Sequence, residues 1–206
     1  MARSILFLLF LLAVKISTAQ NTAQDNLKLL EFYQNQKYAE AADYLVSIHP
    51  QTTDVKVMAQ IGSFKLMANQ LPDAEKYFLM AYQQDTTNLS VIQNLARVNG
   101  RRGNNVLTRK YLEKILARDT LNFSVYKQLA ALITTDAPLQ LTYLEKANLL
   151  NPLDPEVAND LGELYYNKKS YIKSYRVLNL ALMADSFNMV LLKKVIMLSI
   201  TTQHQA

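Results

Sequence analysis

Few side chains in this sequence could support covalent or metal chemistry. The chain has no cysteine and only two histidines, His49 and His204, which lie far apart in the sequence. An activated nucleophile or a histidine-bound metal needs several such groups at one place. Asp160 and Glu163 share one face of a predicted helix, where paired carboxylates usually form a solvated surface. We therefore expect no enzyme activity, no metal site and no cofactor.

Phosphate and nucleic-acid binding are not indicated either. The segment closest to a glycine-rich loop is Gly100-Arg101-Arg102-Gly103, which is predicted to be a turn between two helices. With 22 basic and 17 acidic residues the net charge is +5, which is mild. No nucleic-acid-binding motif accompanies this charge, so we expect no nucleic-acid partner.

The elements that carry these residues follow a period of about 34 residues. Short loops each close with Asn or Asp, at Asp54, Asn88, Asn122, Asp154 and Asn188, with spacings of 34, 34, 32 and 34. Asn and Asp are good N-caps because their side chains accept the free N–H groups of the next helical turn. A new helix is therefore predicted to begin after each of these residues.

Each period contains a second helix as well. In 55–88, residues Ala74, Tyr77, Phe78 and Ala81 have the i, i+3, i+4, i+7 spacing of one helix face. The eighth position of successive units is always small, which allows two helices to approach closely; its residues are Gly62, Ala96, Ala130 and Gly162. Only 4 glycines and 5 prolines are present, too few for most folds built from strands and tight turns.

The best unit for comparison with known repeats is Asp160-Leu161-Gly162-Glu163-Leu164-Tyr165, followed by Tyr171 and Ala181. With these residues the chain resembles the tetratricopeptide repeat (TPR) family. The resemblance implies an all-α, right-handed α-solenoid of antiparallel helix pairs over residues 20–206. It comprises about five TPR-like repeats and a terminal helix, at 21–54, 55–88, 89–122, 123–154, 155–188 and 189–202. The register of the first repeat is uncertain by one residue, and 123–154 has lost two residues at its turn.

In the TPR family the first helices of successive repeats line a groove that holds an extended peptide or a helix of a partner. The resemblance implies a partner-binding groove made of Gln60, Ser63, Gln93, Asn94, Arg97, Arg101, Lys127, Asn159 and Glu163. The clamp that some members use for chaperone C-termini matches at one of its five positions, so that role is rejected. Arg97, Arg101 and Lys127 either attract an acidic segment or form a solvated basic stripe.

The terminal helix is unusually apolar. Leu191, Leu192, Val195 and Leu198 are spaced to pack on the fifth repeat. Val190, Met197 and Ile200 then face the other side, as an end interface for a weak homodimer or a partner helix. The alternative is that they are buried in a monomer.

The N-terminus has the layout of a signal peptide at 1–19. Arg3 precedes an apolar run over 5–14, and Ser17-Thr18-Ala19 provides small residues for cleavage after Ala19. The run is too short to span a membrane, so no integral membrane segment is expected after cleavage. We expect an exported protein, periplasmic or extracellular.

The expected function is therefore a non-catalytic protein–protein interaction platform of the cell envelope or exterior. It would bind a peptide or helix of a partner in the groove. Two alternatives remain open. One is a self-associating structural or assembly protein that uses its C-terminal helix, and the other is an accessory subunit of an envelope machine.

Overall fold

The computed structural model describes residues 23–203, and the side chains of 23–201. The predicted signal peptide at 1–19 and His204 lie outside these residues. Within them every regular element is a helix, which confirms the predicted all-α class. The helices are α1 (23–34), α2 (Tyr38–Ile48), α3 (Val55–Met67), α4 (Leu71–Gln84), α5 (Leu89–Arg101), α6 (Asn105–Leu116), α7 (Phe123–Leu132), α8 (Ala137–Leu150), α9 (Pro155–Asn167), α10 (Tyr171–Ala184) and α11 (Met189–Gln203).

The capping residues act as the sequence pattern predicts. The side chains of Asp54, Asn88, Asn122 and Asp154 each accept backbone N–H groups at the start of α3, α5, α7 and α9. Asn188 accepts the N–H of Leu191 at 3.2 Å, so α11 begins in the same way. These local hydrogen bonds set the start of every first helix from α3 onward.

The chain forms two compact units, α1–α5 up to Gly103 and α6–α11 from Asn104 onward. Within each unit, consecutive helices joined by short turns pack as antiparallel pairs, such as α3 with α4 and α9 with α10. The core of the first unit includes Leu29, Ala41, Ala42, Leu45, Ile61 and Phe64. The second unit is built on Ala130, Leu144, Ala147, Val157 and Leu161, continued by Ala158, Leu178, Ala181, Leu191, Val195 and Leu198.

Two buried hydroxyl groups stand at the twentieth position of a repeat, where the TPR family prefers alanine. Thr108 Oγ1 donates to the carbonyl of Asn104 at 2.8 Å. Ser174 Oγ donates to the carbonyl of Gly162 at 2.7 Å, which ties α10 to α9. Because each hydroxyl has an acceptor, these departures from the family pattern are compatible with burial.

Four of the five turns between first and second helices contain a residue with left-handed backbone conformation; the shortened turn between α7 and α8 does not. Gln36, Asn69 and Lys169 have φ of 56°, 60° and 58°, and Gly103 has φ of 74°. A left-handed residue just after a helix closes its last turn. Asn69 follows Gln36 by 33 residues (69 − 36), one fewer than the usual period. The first repeat therefore lies one residue later than a strict 34-residue spacing would place it.

Candidate partner-binding surfaces

A cavity of about 350 Å³ lies between α9, α10 and α11 in the second unit. It is lined by Gly162, Glu163, Tyr166, Asn167, Ser174, Leu178, Lys194, Met197 and Leu198. The structure therefore brings together two residues that the sequence assigned to different surfaces, Glu163 of the groove and Met197 of the end interface.

The cavity combines an apolar base with a polar rim. Leu178 and Leu198 are buried below it, whereas Glu163 and Tyr166 are exposed. Lys194 Nζ donates to Asn159 Oδ1 at 2.7 Å and pairs with Glu163 Oε2 at 3.1 Å. Asn159 thus lies beside the cavity and orients the lysine at its rim. Such a site can bury an apolar side chain and hydrogen-bond the backbone around it.

In the first unit the predicted groove residues lie on α3 and α5. Gln60 is exposed, and Gln93 and Asn94 are half-buried. Ser63 is half-buried, and its hydroxyl donates to the carbonyl of Ala59 at 2.8 Å within the same helix. The three amide side chains remain able to bond a ligand backbone, while the hydroxyl of Ser63 is already used by its own helix.

The three predicted groove cations differ in what they contact. Arg97 is exposed and has no hydrogen-bond or ion-pair partner in the part of the chain that is described. Arg101 instead donates to the carbonyl of Leu66 at 3.0 Å and to Asn69 Oδ1 at 2.9 Å. It therefore satisfies the C-terminal end of α3, a structural role that periodicity did not reveal.

Lys127, in the second unit, pairs with Asp154 at 2.9 Å and with Glu156 at 2.7 Å. Burial alone would lower the pKa of Lys127, but its hydrogen bonds to Glu156 and Asp154 outweigh burial and raise it. For Asp154 burial acts in the opposite direction and would raise the pKa. Hydrogen bonds from the backbone N–H of Val157 and from the ammonium of Lys127 outweigh burial and lower the pKa of Asp154. The ammonium is thus held between two carboxylates at the start of α9.

The apolar residues of α11 divide as predicted. Leu191, Val195 and Leu198 are buried in the core and Leu192 is half-buried. Val190, Met197 and Ile200 are exposed at 59%, 61% and 53%. Met189 and Ile196 of α11, exposed at 58% and 50%, are further exposed apolar residues that were not predicted.

Among the described residues, no cluster of potential ligands could hold a metal ion, and no helix is long and apolar enough to cross a membrane. His49 is exposed and follows the end of α2.

No protein-family model matches the chain, and no curated protein matches its sequence. Solved structures do match its fold. A crystal structure of MamA aligns with a TM-score of 0.67 and 14% identity, over 76% of this chain and 93% of that one. A tetratricopeptide repeat protein from Parabacteroides merdae aligns with a TM-score of 0.68 and 13% identity, over 87% of this chain and 73% of that one. YrrB, described as a TPR protein with an unusual peptide-binding site, aligns with a TM-score of 0.63 and 13% identity, over 80% of this chain and 87% of that one.

The chain has the TPR fold.

The TPR register explains how Lys194 could have been found from the sequence. α11 occupies the place of a first helix, and Lys194 is its sixth residue. Asn94 in α5 and Asp160 in α9 are at the same position. Because α11 was predicted to be a terminal helix outside the five repeats, its polar residues were not predicted to line the groove. Its exposed apolar side and its groove side meet at Met197.

Proposed function

We propose that this protein is a non-catalytic platform that binds a segment of a partner protein through the first helices of its TPR units. The cavity between α9, α10 and α11 carries the proposal. One predicted groove residue, Glu163, lines it together with Tyr166 and Met197, around a volume of about 350 Å³, enough for a large apolar side chain with part of its backbone.

The chemistry of the cavity defines the segment that it would bind. Met197 and Leu198 offer apolar contact to one side chain, and Tyr166 offers the face of a ring. Asn167 can both donate to and accept from a peptide bond. We therefore propose an extended or helical segment with one large apolar anchor residue.

Arg97 supports a preference for an anionic group on the partner. It is exposed, and no described residue neutralises it. Arg101 and Lys127 support this preference less, because both already bind groups of their own chain. The contribution of Arg97 alone to the affinity for an anionic partner would be modest, and it would decrease as the salt concentration rises.

The fold supports this role, because TPR neighbours include YrrB, whose description names a peptide-binding site. The test is selection of peptides on the immobilised protein from a random displayed library. Selected peptides should share one large apolar residue. They should lose most of their affinity for a Tyr166→Ala/Met197→Lys variant.

Ile196→Lys is the matched control, since Ile196 is exposed on α11 but does not line the cavity. Equal binding to the wild type and to the cavity variant would refute the cavity as the site. Failure to select any peptide from a library that covers both charged and apolar anchors would contradict the platform itself.

Export is part of the proposal. The apolar run before Ala19 supports cleavage there and delivery to the periplasm or the exterior. N-terminal sequencing of the protein from its native host should begin at Gln20. A chain that starts at Met1 in the cytosol would contradict export.

A second candidate, self-association through α11, is favoured by the exposed Val190 and Ile200. Light scattering over a concentration series tests it with Val190→Lys/Ile200→Lys, which should abolish any dimer formed in this way.

A further inference from the structure

The outer surface of the second unit carries an apolar edge that neither its core nor the cavity uses. Its members are large side chains at the ends of α8 and α10 and in the loops that follow α6, α8 and α10. They are Leu121, Leu149, Leu153, Met183 and Phe187, exposed at 75%, 75%, 47%, 74% and 89%. We call these five residues the apolar edge.

Topology places the five residues on the same side of the unit. The helices α6, α8 and α10 are the second members of successive pairs, so they run in the same direction and end on the same side of the unit. Leu149 and Met183 share one repeat position, and Leu121, Leu153 and Phe187 share another, four residues later. Equivalent positions of stacked repeats recur along one side of a solenoid.

The first unit shows that the repeat does not need apolar residues here. At the same two positions α4 and its loop have Gln83 and Thr87, both exposed. The fold is formed equally with polar side chains, so helix packing does not account for the apolar edge. An exposed apolar row of this kind marks an interaction surface.

The size of the row fits a protein interface. At roughly 60–120 Å² for each large apolar side chain, five side chains present about 300–600 Å². A typical stable complex buries about 800 Å² on each partner. The apolar edge would thus supply roughly two-fifths to three-quarters of one side, and its polar surroundings would supply the rest.

Charge at the two ends of these helices indicates what the partner is. Exposed cations lie about one to three turns before the edge, at Lys110, Lys146 and Arg176. Carboxylates lie beside the edge in the loops, at Asp119 and Asp185, whereas the nearby Asp154 is already paired with Lys127 of its own chain. If a second copy is turned end for end, the cations of each copy face the carboxylates of the other while the apolar rows meet. The carboxylates disfavour an anionic membrane surface, which would repel them.

We propose that the second unit pairs with the second unit of another copy through the apolar edge, in a two-fold antiparallel arrangement. Such an interface is self-complementary, as two-fold dimers require. It uses neither the cavity nor α11, so the proposal is independent of the proposed peptide binding.

The test exchanges the edge for the residues that the first unit has at these positions. In the full chain, Leu149→Gln/Leu153→Thr/Met183→Gln/Phe187→Thr should weaken dimerisation by about 100-fold or more in sedimentation equilibrium. The helical circular dichroism should be unchanged. Charge reversal with Lys146→Glu/Arg176→Glu should also weaken the dimer, by about tenfold.

Val106→Gln/Ile172→Gln is the matched control, because these residues are exposed at 79% and 62% at the opposite ends of α6 and α10. This control and the α11 variant Val190→Lys/Ile200→Lys should leave the dimer unchanged. A wild-type monomer at high concentration would overturn the proposal. So would a dimer that resists the edge variant, or one that only the α11 variant disrupts.

Discussion

Gly162 in α9 lies directly against Leu178 in α10. A β-carbon built on Gly162 would approach Cγ of Leu178 to 2.7 Å. The same relationship recurs in the first unit, where a β-carbon on Gly62 would lie 2.8 Å from Cε1 of Phe78. The eighth residue of these two repeats is therefore the point where the first helix makes room for the second.

Gly162→Ala is expected to destabilise the protein despite alanine's higher helix propensity. The propensity gain is about 1 kcal/mol. Overpacking against Leu178 costs about 1–3 kcal/mol, because the whole isobutyl group must move. We expect a net loss of about 1 kcal/mol in urea denaturation and a larger loss for Gly162→Val. Equal or greater stability of the alanine variant would mean that Leu178 moves aside freely.

Arg97 and Arg101 allow a matched comparison on one helix. Arg101→Met removes donors to the end of α3 and should cost about 1 kcal/mol of unfolding free energy. Arg97→Met removes a side chain without a partner among the described residues and should leave the melting temperature unchanged. Thermal denaturation of both variants checks this. Equal melting temperatures would show that the Arg101 hydrogen bonds contribute nothing.

Tyr165 should link stability to alkaline pH. Burial, together with a 2.7 Å hydrogen bond to Glu145, raises the pKa of Tyr165 from 10.0 to about 12. The folded state holds this proton more tightly, so its stabilising contribution is complete below pH 10 and is lost as pH rises toward 12. Tyr165→Phe should make the loss of stability over this range shallower. Denaturation of both proteins at several pH values measures how the unfolding free energy depends on pH, and phenolate absorbance follows the titration of the tyrosines. The same pH dependence in both proteins would contradict the raised pKa.

Lys169 offers a stabilising change. Its φ of 58° lies in the left-handed region, which asparagine tolerates better than lysine and which Asn69 occupies in the equivalent turn. Lys169→Asn should raise the unfolding free energy by about 0.5–1 kcal/mol. Lys168→Asn is the control, because its φ of −84° is ordinary and no gain is expected. A gain from both variants would attribute the effect to lost charge.

The sequence was sufficient for the fold where the causes are local. Asn88 and Asn122 cap the helices that directly follow them, so spacing alone located each helix start. Gly62 and Gly162 were found because the repeat register placed them at one position. Repeat spacing alone did not locate the turn at Gln36. This turn lies one residue away from the position that a 34-residue period predicts, and its left-handed backbone conformation identifies it.

The candidate site was less predictable because the residues that contact each other there are far apart in the sequence. Periodicity places Arg101 and Lys127 on a helix face, but it does not show which groups they bind. Their partners lie 35 and 27 residues away. The cavity likewise depends on Lys194, whose two acceptors belong to α9. A repeat pattern identifies candidate surface residues, and only coordinates show which of them are already occupied.

The packing of each helix on its neighbours along the chain has a kinetic consequence. In both units nearly all contacts between the described helices join consecutive helices. The small contact between α3 and α5 is an exception. Forming them requires closure of short loops only, which favours rapid folding. During synthesis each helix pair can pack soon after it leaves the ribosome, without waiting for a distant segment. Slow steps in assembly should therefore arise from meeting a partner rather than from folding of the chain.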